Sequence, residues 1–370
     1  MSLVPRLPAP IATLPWAMLL VVFALTGFGL VVLYSAAGGH LTWALPQGVR
    51  FVVFLGMAIA MSYVRPAFYK EWAFAAYAGL VVLLVLVEAL GAIRGGAQRW
   101  LDFGFVRLQP SELMKPAIVL TVARFYDMLP AREIRGWTAI WPALVLIGIP
   151  AALILVQPDL GTATMVALGG VTVMFLAGLP LRLFIGAGVA GAVVAPLAYF
   201  FVLHDYQRQR IAIFLDPESD PLGAGYHITQ SKIAIGAGGL TGTGFLQGTQ
   251  SHFAFLPEPQ TDFVFATMAE EWGLIGGIFV ILCYALLIRW GGKVALHARG
   301  RFERLIAAGL TTTIFLYMAI NLAMVMGLAP VVGIPLPLVS YGGSSIMTVM
   351  ICLGILMSID RQNRLDPRRR

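Results

Sequence analysis

Between Leu305 and Ile359 the chain runs for 55 residues without one Asp, Glu, Lys or Arg. About 20 apolar residues suffice for a helix to cross the hydrocarbon core of a bilayer. This run therefore holds two spans, separated by the Gly- and Pro-rich GLAPVVGIPLPLVSYGG. Uncharged runs of spanning length recur at Ile11–Ala36, Gly136–Pro158, Leu160–Leu181 and Leu183–Leu203. Phe51–Val64, Trp72–Ile93, Gln109–Ala123 and Phe263–Ile288 are shorter or carry an isolated charge. The pattern predicts an all-α polytopic membrane protein of about ten transmembrane helices. Only 12% of the 370 residues are charged, about half the share in a soluble domain, so a soluble globular fold is excluded. The first apolar run is longer than the roughly 7–15 residues of a signal-peptide core, and it is read as a retained helix.

Ten spans place both termini on one side. Seventeen of the 25 Lys and Arg residues then fall on that side and eight on the other. The positive-inside rule makes the termini cytoplasmic. The net charge of +7 thus reports topology, and no basic patch with interleaved aromatics suggests nucleic acid. Cys283 and Cys352 lie inside spans and read as small apolar core residues. Residues 1–370 are read as a single integral membrane unit. Two of its extracytoplasmic loops are long: Gly95–Gln109, and His204–Asp262, which joins helices seven and eight and in which Tyr226–Ala237 is read as a short amphipathic helix. A loop that long is usually functional. Its Gly-rich end, GAGGLTGTGFLQG, fits no nucleotide-binding template, and the loop reads as a mobile cover over a cavity.

The segment HFAFLPEPQTDFVFATMAEEWG, His252–Gly273, sets four carboxylates, Glu258, Asp262, Glu270 and Glu271, at the start of an apolar helix. Ionisable groups at membrane depth are costly and often functional. Asp262 reads equally as an N-cap and as a general base whose pKa is raised by partial burial. Glu270 and Glu271 cannot share a helix face. At least one looks into the bundle or pairs with a basic residue. Glu112 and Lys115, spaced i, i+3, can pair directly, as a helix lock or as a cavity wall. Asp159 in QPDLGTA caps a helix, orients the cavity, or both. The five histidines lack metal-ligand spacing, and no nucleophile elbow occurs.

Five blocks together resemble the SEDS family: GAQRWLDFGFVRLQPSELMK at Gly96–Lys115, QPDLGTA at Gln157–Ala163, YQRQRIAIFLDP at Tyr206–Pro217, PEPQTDFVF with AEEWG, and GIPLPLVSYGGSS at Gly333–Ser345. The wording is similar to the elongation member rather than the division member, in which a His commonly stands at the place of Gln260. The resemblance implies a peptidoglycan glycosyltransferase that polymerises lipid II into β-1,4 glycan strands, with Asp262 as the essential carboxylate. It places Arg99, Glu112, Lys115, Asp159, Arg208, Arg210, Lys232, Glu258, Glu270, Glu271, Ser340 and Ser344 around a substrate cavity. Any of Arg99, Lys115, Arg208, Arg210 and Lys232 can face the leaving diphosphate, with a divalent cation, Mg2+ or Mn2+, as a further expectation. The implied partners are lipid II and the lipid-linked strand, a class B penicillin-binding protein that cross-links it, and the elongation machinery. The implied location is the bacterial cytoplasmic (inner) membrane. A lipid II flippase, a division-type member and a non-catalytic scaffold are the alternatives.

Overall fold

The computed structural model describes residues 13–90, 92–94, 97–102, 107–201, 205–216, 224–253, 255–256 and 258–365. Seven long helices come first: α1 (Trp16–Ala36), α2 (Ala44–Ser62), α3 (Pro66–Leu90), α4 (Pro110–Met128), α5 (Trp137–Val156), α6 (Leu160–Ala177) and α7 (Leu181–Phe201). Three shorter ones follow: α8 (Asp205–Leu215), α9 (Ala224–Gly238) and α10 (Thr249–His252). The chain closes with α11 (Val264–His297), α12 (Arg301–Val325) and α13 (Gly343–Leu365). Ten long helices match the expected number. Eight helices among the described residues are long and apolar enough to cross a membrane. The two outside that set are α4, whose 19 residues include Glu112, Lys115, Arg124 and Asp127, and α7, with the shorter apolar stretch Leu181–Val194.

Burial sorts the helices. Along α12 and α13 most of the apolar window is enclosed by protein, whereas α2, α3 and α5 bury less than a third of theirs. The polar α4 is also a core helix, since Met114, Ile118, Val119 and Val122 are fully buried. The outer helices expose Trp137, Val193, Leu197 and Phe200, the belt expected of a surface that faces lipid rather than water.

Two features depart from the sequence reading. Where Gly95–Gln109 reads as a loop, the described residues form a three-stranded antiparallel ribbon, β1 (Ala92–Arg94), β2 (Ala97–Asp102) and β3 (Arg107–Leu108). These strands of three, six and two residues are too short to show an alternating pattern. Between α7 and α11 the described residues include α8, α9 and α10, of which α9 covers the helix read at Tyr226–Ala237, but the Gly-rich end is stapled down rather than free.

The staple forms where α11 breaks. Thirty-four residues of continuous helix would be about 51 Å long, well beyond the hydrocarbon core. Gly273 interrupts the helix with φ +61° and ψ −157°. A break leaves backbone donors and acceptors unpaired inside protein, a cost that must be met locally. The Gly-rich segment meets it. Gly239 O and Leu240 O accept from the N–H groups of Leu274 and Ile275 at 2.9 and 3.2 Å. Thr243 N and Gly244 N donate to the carbonyls of Glu270 and Glu271 at 2.9 and 3.2 Å. Such backbone contact requires bare α-carbons. A Cβ on Gly238 would lie 1.9 Å from the Ala269 carbonyl oxygen.

Gly238→Ala should therefore cost on the order of 1–3 kcal/mol through overpacking. Gly236→Ala, on the same helix with open space around it, should be neutral. Thermal unfolding of the two variants in detergent makes the comparison. Equal melting temperatures would mean that the segment is not held against α11.

Candidate active site

Asp262 lies two residues before α11, and the first question is whether it caps that helix. It does not. The N-cap position is Phe263, and no side chain caps the helix start. Among the described residues, neither Asp262 carboxylate oxygen takes a hydrogen bond. One of them faces Gly333, where a Cβ would lie 3.5 Å away.

The backbone around Asp262 is held firmly. Three successive carbonyls, those of Gln260, Thr261 and Asp262, are each bound from behind. Tyr341 N donates to Gln260 O at 2.8 Å. Ser340 Oγ donates to Thr261 O at 2.7 Å. Asn321 Nδ2 donates to Asp262 O at 3.0 Å and also to Ile334 O at 2.7 Å. The clasp is itself anchored. Leu336 N donates to Ser340 Oγ, and Gln47 of α2 donates to Ser340 O at 2.9 Å. Glu258 and Leu338, on the two sides of this clasp, hold left-handed backbone at φ +43° and +69°. Non-glycine residues rarely adopt that region, and its strain gathers at functional sites.

The electrostatics follow from the packing. Protein around Asp262 disfavours its ionised form, and the charges of Glu258 and Asp159 add to this, so its pKa is pushed up to about 6. Three carboxylates from two segments thus converge. Glu258 is exposed, and its side chain accepts from Gln260 and Thr261. Asp159 caps α6 by accepting from Thr162 N at 3.0 Å, and Gln109 donates to its other oxygen at 3.4 Å. Next to it, Arg99 of β2 donates to the carbonyls of Gln157 and Pro158. The ribbon thereby brings a guanidinium to the Asp159 end of the site.

Beneath this layer, Glu112 and Lys115 form a buried pair. Lys115 Nζ lies 2.5 Å from Glu112 Oε1 and 2.9 Å from the Tyr317 hydroxyl. Tyr317 in turn donates to Glu112 Oε2 at 2.5 Å. Lys115 is 1% exposed and Glu112 5%, so all three groups satisfy one another in a dry interior. Tyr317 is one helical turn from Asn321 on α12. The triad and the Asp262 clasp therefore share a support.

The remaining residues singled out from the sequence are placed elsewhere or serve the framework. Ser340 is part of the clasp. Glu270 does not form the expected ion pair: its carboxylate accepts from Gln250 N, Ser251 N and the hydroxyls of Thr249 and Ser251, and so caps α10. Glu271 accepts from Ser35 of α1. Lys232 lies across Gly327 at the end of α12. Arg208 donates to Phe200 O at the end of α7. The Arg210 side chain lies outside the described residues. Ser344 is buried in the first turn of α13. Sequence reasoning missed Asn321, Gln47 and Tyr317. The signal for Asn321 was present, since an amide in the longest uncharged run must find partners or leave costly unpaired donors. Among the described residues, no three His, Cys, Asp or Glu side chains are grouped to hold a metal ion.

An all-helical integral membrane protein, with one uncommitted carboxylate held at the head of a broken helix, is the class this geometry defines. The chain belongs to the FtsW/RodA/SpoVE family: the family model, described as a cell cycle protein, matches residues 15–365. It is 48% identical over 348 residues to peptidoglycan glycosyltransferase MrdB of Escherichia coli K12, covering 94% of each chain. It superposes with a TM-score of 0.83 on a chain from a structure concerned with polymerization and crosslinking by a peptidoglycan synthase complex. That match has 31% identity and covers 95% of this chain and 99% of the other. A crystal structure of the rod shape determining protein RodA of Thermus thermophilus matches with a TM-score of 0.71 and 27% identity, over 95% and 98% of the two chains.

Proposed function

We propose that this protein is a peptidoglycan glycosyltransferase that polymerises lipid II during cell elongation, with Asp262 as the general base. The observation that carries the reading is the state of that carboxylate: fixed by its backbone, free at both oxygens, and with a pKa near the pH at which it would work. A base of that strength accepts a proton in the transition state and is still ionised at neutral pH.

The chemistry balances with one base. The acceptor sugar hydroxyl attacks the anomeric carbon of the donor, and its proton passes to Asp262. The bond from that carbon to the diphosphate oxygen breaks, and undecaprenyl diphosphate leaves with the electron pair. One displacement converts an α-linked diphosphate into a β-1,4 link. The departing charge needs a cationic neighbour. Lys115 is buried with Glu112 and Tyr317, whereas Arg99, held beside Asp159 by the Gln157 and Pro158 carbonyls, lies at the site, and it is the basic group we assign to the diphosphate. No step is routed through Mg2+ or Mn2+, which enters only as a counter-ion carried by the diphosphate.

By the basic-residue bias, both termini are cytoplasmic and Asp262 faces outward in the bacterial inner membrane. A class B penicillin-binding protein is the partner we infer, consistent with the synthase complex to which the fold is similar.

Purified protein given lipid II and no energy source is the test. Glycan polymer is the expected product, whereas headgroup movement across liposomes without polymer would replace the enzyme with a flippase. The same assay carries a pH prediction. The base must be ionised, so turnover should rise through about pH 6 and at pH 5 stand about tenfold below its plateau. Glu258→Gln removes one of the charges that raise the Asp262 pKa, and should move this acid limb to lower pH. A profile flat from pH 5 to 8 would remove Asp262 as the titrating base.

A further inference from the structure

At the end of the bundle away from Asp262, α13 closes on the turn between α2 and α3 and on the start of α12. These elements surround a cavity of 360 Å3. Its walls carry Arg65 and Arg361 beside an apolar side formed by Tyr63, Val64, Pro66 and Leu365. An adjoining hollow of 60 Å3 shares Glu303 and Gln362 with it and adds Asn363.

One donor in this cavity and one in the adjoining hollow lack acceptors. The Arg361 guanidinium stacks 4.1 Å over the Tyr63 ring, and its Nε is buried without a hydrogen-bond acceptor. Asn363 is 8% exposed, and its Nδ2 has none either. Among the described residues, no protein acceptor meets either donor. Glu303 folds back onto Gly300 at the head of α12, where a Cβ would lie 1.6 Å from its carboxylate. Asp360 is ion-paired with Arg364 at 2.7 Å. Ser62 and Ser358 already donate their hydroxyls to the carbonyls of Ile59 and Val64.

A buried donor left unpaired is costly, so one in this cavity and one in the adjoining hollow point to an absent acceptor-rich anion. Guanidinium groups match phosphate geometry. The apolar side, and the position at the ends of membrane-crossing helices, match the glycerol and upper acyl region that a lipid phosphate carries. We propose that this cavity binds the phosphate headgroup of an anionic phospholipid, in the leaflet on the C-terminal side of the bundle. The headgroup would bridge the α2–α3 turn to α13, and this role is independent of the chemistry at Asp262.

The test uses full-length protein stripped of lipid in detergent. It is titrated with dioleoyl phosphatidylglycerol, dioleoyl phosphatidylcholine or inorganic phosphate, and bound lipid is counted by native mass spectrometry. Phosphatidylglycerol should bind at least about tenfold tighter than phosphatidylcholine, and Arg361→Gln should weaken it by about tenfold, the size of one charge-assisted hydrogen bond. Arg132→Gln, an exposed arginine away from the cavity, should change nothing. Asn363→Ser gives a second route should Arg361→Gln fail to fold, with a loss of about threefold expected for a neutral donor. Equal retention of the two lipids, or full binding by both cavity variants, would overturn the site. Competition by millimolar inorganic phosphate at equal strength would reassign it to a free anion and overturn the lipid.

Discussion

Asp262→Asn will lower glycan polymerisation by about 10²–10⁴, the worth of a positioned general base, while leaving the folded protein intact. The structure separates these effects. The Asp262 carboxylate caps nothing, and the clasp grips its backbone carbonyl rather than its side chain. Asn has the same shape but cannot accept the proton. Turnover of lipid II by the variant, measured beside its melting temperature, is the comparison. Near-normal turnover would dismiss Asp262 as the base. A large loss of stability would mean that the carboxylate is structural after all. Asn321→Ala should behave differently. It frees the Asp262 and Ile334 carbonyls together, so it should lower both stability and turnover.

The second large effect lies one layer down. Replacing Glu112 or Lys115 alone by Ala strands the other charge in a dry interior, at a cost of roughly 3–5 kcal/mol. The double change removes both charges and should recover part of that loss. Each single variant should give a poor yield of folded protein, with the double variant better than either. Strict additivity would deny the direct pairing seen at 2.5 Å. Singles that fold normally yet lose turnover would shift the pair from framework to substrate contact. Tyr317→Phe tests the third member: it deletes the hydroxyl that joins Lys115 to the second Glu112 oxygen, and should cost about 1–3 kcal/mol as a lost buried hydrogen bond.

Eight spans were legible in the sequence because hydropathy decides them, and the ends of most helices fall within a few residues of the apolar runs. Asp262 stood out because a carboxylate at the head of an apolar helix is expensive. Its competing role as a cap could only be settled by geometry, since both roles need the same residue at the same place. Glu270 was misjudged for a related reason. A buried carboxylate needs donors, and the sequence offers basic side chains as the visible ones, whereas the actual donors are backbone N–H groups of a four-residue helix. Asn321, Gln47 and Tyr341 act on segments dozens to hundreds of positions away, which no local pattern encodes. The Gly-rich segment looked like slack chain. Its glycines instead allow contact with the α11 backbone.

The break at Gly273 makes the first part of α11 a lever. Nine helical residues, Val264–Trp272, separate this pivot from the short turn bearing Asp262, an arm of about 13.5 Å at 1.5 Å per residue. A tilt of about 10° would carry the tip sideways by about 2 Å, more than a general base can move and still reach its proton. Two restraints oppose that swing, the Gly-rich staple at the pivot and the three-carbonyl clasp at the tip. They belong to different parts of the chain, one before α11 and the other on α12 and the segment that follows it. Whatever loosens either of them retunes the enzyme without touching a substrate, so throttle positions are to be sought at these two fastenings rather than in the pocket.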